Sequence, residues 1–302
     1  MPAKPFVIAI VGPTASGKSE LAVIIAKKIN GEIISADSRQ VYRGMDIGTG
    51  KVEGKLRSDK YFYKSIRHYG IDIASPRTQY SVAKFQSYTK KAIAEILKQG
   101  KVPILCGGTG HWIDAVLFNQ NLPAVKPNNE LRKKLEKLST FELFNKLKKL
   151  DPNRAQNIDA KNPRRLIRAL EIIMTTGKPV PVSKMETKYD VLWLGITHDK
   201  ETLDKRIDKR LDERLKIGMV EEIKKLHDEG LSWKRLEDFG LEYKFGAQLL
   251  QQKIIENEMR SLLSIAIKQY SKRQMTWFKR NKDIHWVKTA SEALRIIKKR
   301  NA

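Results

Sequence analysis

The chain opens with an unbroken apolar run, Phe6–Val11 (FVIAIV), stopped by Gly12. Such a run predicts a strand buried on both faces of a parallel sheet. After Lys18 the spacing changes: Leu21, Ile24, Ile25 and Ile29 recur at helical intervals, and Gly31 reads as a helix stop. Glu32–Ala36 predicts a second strand with Asp37 at its carboxyl end. Ser81–Lys98 has helical spacing, and Val102–Cys106 is a strand that runs into GGTG. Val191–Ile196 and Ile284–Val287 read as further strands, and Leu203–Glu229 and Glu258–Lys282 as long basic helices. Strands alternating with helices predict a doubly wound α/β core. Ligands in such folds sit at the carboxyl ends of strands, and the loops at Gly12, Asp37 and Gly107 all follow strands.

Between Asn119 and Lys188 the strand pattern disappears. Glu130–Leu138, Phe141–Leu150 and Pro163–Thr175 carry helical spacing, and GKPVPVS closes the stretch. The expected organisation is an α/β, P-loop NTPase-like parallel-sheet core from residues 1–118 and 189–302, with a helical insertion domain at 119–188.

Composition narrows the class. The 302 residues are 41% hydrophobic, enough for a sizeable core, and no stretch approaches the ~20 apolar residues of a membrane span. MPAKPFVIAIVG has no signal-peptide organisation. One cysteine, Cys106, excludes an internal disulfide and a Cys-rich zinc site, and five scattered histidines show no ligand spacing. A cytoplasmic protein without a membrane partner fits. Lys and Arg number 59 against 34 Asp and Glu, a net charge of +25. Either a polyanionic partner such as RNA or a Lys-rich proteome accounts for it.

The candidate chemistry begins at GPTASGKS: Gly12, Pro13, Thr14, Ala15, Ser16, Gly17, Lys18 and Ser19. The spacing matches a P-loop, with a strand before it and a helix after it. Its amides and the helix N-terminus suit anionic oxygens; Lys18 adds a point charge and the Ser19 hydroxyl suits Mg²⁺. The motif specifies a polyphosphate and leaves its identity open. Asp37, in DSRQVY, suits a metal contact or removal of a proton from a nucleophile; the plainer reading is a helix cap. GGTG offers close backbone approach and the Thr109 hydroxyl, or is simply a flexible turn. It supplies no acid after its strand, where a P-loop ATPase commonly has one, which argues against ATP hydrolysis.

Three basic segments remain. RRLIRALE places Arg164, Arg165 and Arg168 on neighbouring helix faces, where solvated charge is the bland alternative. Arg206, Arg210 and Arg214 form one stripe at four-residue spacing, interleaved with acids as an ordinary surface helix would be. KQYSKRQMTWFKRNK mixes Lys272 and Arg273 with Tyr270, Trp277 and Phe278, which suits phosphate contact plus base stacking, or an amphipathic helix with its aromatics in the core. The second reading is preferred for Trp277.

Taken together, GPTASGKS, DSRQVYRGMDIGTGK, GGTG, DPNRAQNI with NPRRLIRALE, GMVEEIKKL and KQYSKRQMTWFKR resemble the tRNA dimethylallyltransferase (isopentenyl-tRNA transferase) family of bacterial type, in family order over nearly the whole chain. DSRQVY after a P-loop is the most specific element. Four places depart from the family pattern: His111-Trp112 after GGTG, His68-Tyr69-Gly70-Ile71-Asp72, Lys161-Asn162, and Gly240-Leu241-Glu242-Tyr243-Lys244.

The resemblance implies transfer of a dimethylallyl group from dimethylallyl diphosphate to the N6 amine of adenine 37 in a tRNA anticodon loop. It implies that the P-loop, Mg²⁺ on Ser19 and Arg210 hold the diphosphate, and that Asp37 accepts the amine proton. Thr109 would contact the nucleotide or Asp37. Ser38, Arg39 and Gln40 would surround the flipped base, while Arg164, Arg165, Arg168, Lys272 and Arg273 grip RNA. A monomer is the default expectation. The alternatives are an adenylate isopentenyltransferase, a P-loop kinase acting on a nucleoside or small molecule, and a non-catalytic RNA-binding protein.

Overall fold

The computed structural model describes residues 4–181 and 186–301. Val182 and Ser183 of GKPVPVS, and Met1–Ala3 at the N-terminus, lie outside the described residues. The chain divides into two compact units, Met1–Phe118 with Thr187–Ala302, and Asn119–Glu186.

The first unit contains a sheet of eight strands: β1 (Phe6–Val11), β2 (Gly31–Ser35), β3 (Lys55–Arg57), β4 (Lys60–Tyr63), β5 (Ile66–Tyr69), β6 (Val102–Gly107), β7 (Asp190–Ile196) and β8 (His285–Val287). Their order is β3-β4-β5-β2-β6-β1-β7-β8. From β5 to β8 every neighbouring pair is parallel, while β3, β4 and β5 pair antiparallel. The two innermost strands of the parallel part, β6 and β1, carry no charged residue, as suits strands with helices over both faces. One face packs Val7, Ala9, Ile34 and Leu105 into one core cluster; the other packs Ile8, Ile10, Ile33 and Ile104 into another.

The helices of this unit are α1 (Lys18–Ile29), α2 (Val82–Lys98), α3 (Gly110–Leu117), α8 (Lys200–Lys216), α9 (Met219–Asp228), α10 (Trp233–Phe239), α11 (Leu241–Leu250), α12 (Glu256–Phe278) and α13 (Ala290–Asn301). The second unit holds α4 (Asn129–Leu135), α5 (Thr140–Leu150), α6 (Pro152–Gln156) and α7 (Pro163–Thr176) around Leu135, Leu143, Leu147, Leu166 and Leu170. Ser139 and Glu142 form a capping box on α5. Asn162 caps α7, whose first residue is Pro163 and whose C-cap, Gly177, is left-handed.

Three sequence expectations change. The helix stop assigned to Gly31 falls on Asn30, left-handed at φ 53°, whose amide bonds Ala26. Gly31 instead opens β2, where a side chain would strike Ile104. The single helix expected over Leu203–Glu229 is two, broken at Gly218 with φ 97°. The hairpin β3–β4 and strand β5 escaped the pattern, because segments of three and four residues are too short for periodicity to decide.

Candidate active site

Three loops at the carboxyl ends of β1, β2 and β6 meet. The P-loop turns at Gly12, where any Cβ would sit 2.3 Å from the Ile196 carbonyl. It enters α1 through Gly17, left-handed at φ 91°. Gly107 faces the Ala36 carbonyl, 2.2 Å from where its Cβ would stand. That close approach lets the β2 and β6 ends touch: Thr109 N–H donates to Ala36 O (3.2 Å), and Ser38 N–H donates to Thr109 Oγ1 (3.2 Å). Thr109 therefore holds the backbone beside Asp37. Burial pushes the pKa of the Tyr270 hydroxyl up to about 12.

Asp37 does not cap a helix. Its Oδ1 accepts the Arg39 and Gln40 amides (2.9 and 3.4 Å), which fixes the carboxyl in a local turn. The carboxyl lines two cavities. The first is also lined by Lys18, Ser19 and Arg210, by the apolar Ile33, Val52 and Ile71, and by Ser35, His68 and Cys106. Burial pushes the Cys106 thiol up to about 12 and lowers the His68 pKa, so neither adds a charge to the cavity. The second cavity is lined by Ser38, Arg39, Phe239, Tyr243 and Tyr270. Thr14, Asp37 and Thr49 belong to both.

The arginine stripe on α8 resolves into three tasks. Arg206 Nε donates to Ala15 O (2.8 Å) from an exposed position. Arg210 Nη2 donates to Thr14 Oγ1. Arg214 is buried and pairs with Glu242 (3.0 Å). Burial lowers the Lys18 pKa. Burial, with Arg214 nearby, pulls Arg210 down to about 9, which leaves it charged at neutral pH. Lys18 donates to a carbonyl, Pro13 O at 3.0 Å, and Arg210 to a hydroxyl. Neither group neutralises a cation. Two desolvated cations beside P-loop amides constitute an anion site.

The other candidates are distributed as follows. Ser38 and Arg39 line the second cavity and Gln40 the first; Arg39 Nε also donates to Phe239 O (2.8 Å). Arg164 and Arg165 are exposed at the start of α7, and Lys272 and Arg273 are exposed on α12. Arg168 bonds Glu171 (2.5 Å) and Val125 O (3.1 Å), so its guanidinium braces the second unit. Trp277 packs against the core and donates to Asp114 (3.0 Å), as preferred from the sequence. Trp112 is buried and stacks on Phe85 with ring centroids 4.5 Å apart.

Sequence reasoning missed Gln274. Its Oε1 accepts the Thr14 amide (2.8 Å) and its Nε2 donates to Gly108 O (2.9 Å), pinning the P-loop to GGTG. Gln274 is buried although it lies in a Lys- and Arg-rich segment, and no sequence signal marked it.

No group of three or more His, Cys, Asp or Glu side chains that could hold a metal occurs among the described residues. Ser19 and Asp37 offer one hydroxyl and one carboxylate to the first cavity. That set fits Mg²⁺, which commonly takes one or two protein oxygens and completes its shell with phosphate and water. No helix among the described residues is long and apolar enough to cross a membrane.

A family model described as IPP transferase matches residues 40–281. The chain is 41% identical to a tRNA dimethylallyltransferase of Acetivibrio thermocellus, over 93% of this chain and 91% of that protein. The crystal structure of a tRNA delta(2)-isopentenylpyrophosphate transferase from Staphylococcus epidermidis superposes with a TM-score of 0.71 at 36% identity, covering 98% of this chain and all of that one. A eukaryotic dimethylallyltransferase captured crystallographically acting on tRNA gives 0.77 at 28% identity, covering 94% of this chain and 74% of that one.

Proposed function

We propose that this chain, which belongs to the IPP transferase family, transfers a dimethylallyl group from dimethylallyl diphosphate to the N6 amine of adenine 37 in tRNA. The observation that carries the reading is one carboxyl shared by two cavities, the first lined both by the cations Lys18 and Arg210 and by the apolar side chains of Ile33, Val52 and Ile71. An allylic diphosphate has that polarity: a polyanion joined to five apolar carbons.

In this reading the diphosphate lies against the P-loop, Lys18 and Arg210. The bond that breaks joins the allylic carbon to the diphosphate oxygen, so negative charge grows on the leaving group. Fixed cations and amides aimed at that charge lower the barrier. The Ser19 hydroxyl would hold Mg²⁺ there, and the ion would further neutralise the diphosphate. The flipped adenine occupies the second cavity, beside Tyr270 and Phe239, and a single-stranded loop makes its extrusion cost only about a few kcal/mol. Its amine lone pair is delocalised into the ring, so attack needs the proton removed. Asp37 Oδ1 is held by two amides, and Oδ2 takes that proton. The new bond joins N6 to the allylic carbon, and diphosphate leaves.

Arg164, Arg165, Lys272 and Arg273, all exposed, are the candidate contacts to RNA phosphates. The net charge of +25 supports a polyanionic substrate. The protein would act as a monomer in the cytoplasm. Incubation with labelled dimethylallyl diphosphate and either tRNA or AMP tests the reading. Label should enter tRNA and leave AMP untouched. Label in AMP would identify an adenylate isopentenyltransferase, ATP consumption a kinase, and binding without transfer a non-catalytic RNA-binding protein.

A further inference from the structure

Glu222, in the first turn of α9, collects four donors. Its Oε2 accepts the Asp46 and Ile47 amides, both at 2.7 Å, and its Oε1 accepts the Gly48 amide (3.1 Å) and the Tyr243 hydroxyl (2.8 Å). Successive backbone amides converging on one point are how loops hold anions. Here the anion is a side chain that follows the loop by 174 residues or more.

What the clasp holds matters more than the clasp. The next two residues, Thr49 and Gly50, offer their carbonyls to Gln40 Nε2 at 3.4 and 3.2 Å, and Gln40 Oε1 accepts from Ser35 Oγ (2.9 Å). Gln40, Thr49 and Gly50 line the first cavity, while Gly48 and Thr49 line the second. The clasped segment is thus a wall common to both. Gly48 settles directly on the Tyr243 ring, where a Cβ would lie 2.8 Å from the phenol carbon and oxygen. Arg214, paired with Glu242, adds a contact to Gly48 O (3.4 Å).

We infer that Glu222 is a positioning residue: by clasping the 46–48 amides it fixes the wall between the donor and acceptor cavities, and so sets both the donor length admitted and the donor's distance from Asp37. The inference rests on the prenyl-transfer reading above. A displacement of about 1 Å at reacting atoms costs on the order of 10²-fold in rate, and a wall held by one carboxylate is where such a displacement would start.

The test uses Glu222→Gln and Glu222→Ala in the full-length protein, each first shown to be folded by circular dichroism. A glutamine offers one oxygen in place of two, so its NH₂ must face at least one N–H donor. Hydrogen exchange in the substrate-free protein should accelerate at residues 46–48 in both variants and stay unchanged in β6. With tRNA as acceptor, kcat for dimethylallyl transfer should fall by roughly 10²-fold with KM for tRNA unchanged. The preference for dimethylallyl over the ten-carbon geranyl diphosphate should narrow. Unchanged exchange at 46–48 overturns the clasp. Faster exchange with wild-type kcat and donor preference overturns its role in positioning. A wild-type protein that prenylates no acceptor overturns the underlying reading and this inference with it, a result distinguished by its appearing before any substitution is made.

Discussion

The helical unit and the P-loop region treat buried charge in opposite ways. In the helical unit Glu171 is fully enclosed and has its partners in place: Arg132 at 2.7 Å, Arg168 at 2.5 Å and the Asn128 amide at 2.8 Å. Burial alone would raise its pKa; the two arginines and the amide overcome that and hold it at about 2. In the α/β unit Arg210 and Lys18 meet only a hydroxyl and a carbonyl, and burial lowers both. A buried charge with its counter-charge offsets its own desolvation, and one without it costs stability until a ligand arrives. The helical unit uses buried ionic groups for its own structure. In the P-loop region neither cation has a carboxylate within hydrogen-bond distance among the described residues.

That contrast can be broken by substitution. Arg210→Met should reduce kcat by roughly 10²–10³-fold, the range for removing one donor aimed at developing charge. It should not lower the melting temperature of the substrate-free protein, because it removes a desolvated, unneutralised cation. A melting temperature that drops by several degrees in a calorimetric scan would show that Arg210 is paired in the resting protein.

Arg168→Ala should act the other way. It should destabilise the protein by about 1 kcal/mol, a modest value because Arg168 is over a third exposed and Arg132 stays on Glu171. Affinity for tRNA should hold. Filter-binding and denaturant titration together check this; lost affinity with unchanged stability would return Arg168 to the RNA contacts the sequence suggested.

The smallest effect is a pH dependence. The folded pKa of Glu171 lies below its ordinary 4.5, so its contribution is complete above that value and is lost as pH falls toward 2. The gap in melting temperature between wild type and Glu171→Gln should therefore narrow as pH is lowered from 6 to 3. A gap that stays constant would mean that the Glu171 carboxylate titrates like an exposed one.

The ease of reading these features from sequence followed their locality. The P-loop was legible because its eight residues are contiguous and its neighbours are a plain strand and a plain helix. Asp37 was legible as the residue after a strand, although its turn geometry was not. The α8 stripe was visible, but spacing could not tell Arg206, Arg210 and Arg214 apart; only the resemblance singled out Arg210. Their fates depend on what α8 meets: Ala15, Thr14 and Glu242. Gln274 and Glu222 were illegible for the same reason. Each acts on backbone groups at least 166 residues away, and backbone partners leave no residue type to recognise.

The account stands or falls on the carboxyl of Asp37 lying between a prenyl diphosphate and an amine. Single-turnover transfer to tRNA by wild type and Asp37→Ala, with the dissociation constants of both substrates measured alongside, tests it most directly. The prediction is a loss of about 10²–10⁴-fold in the transfer rate with both dissociation constants close to wild type. A rate that survives the substitution, or one lost in proportion to tRNA binding, would contradict it.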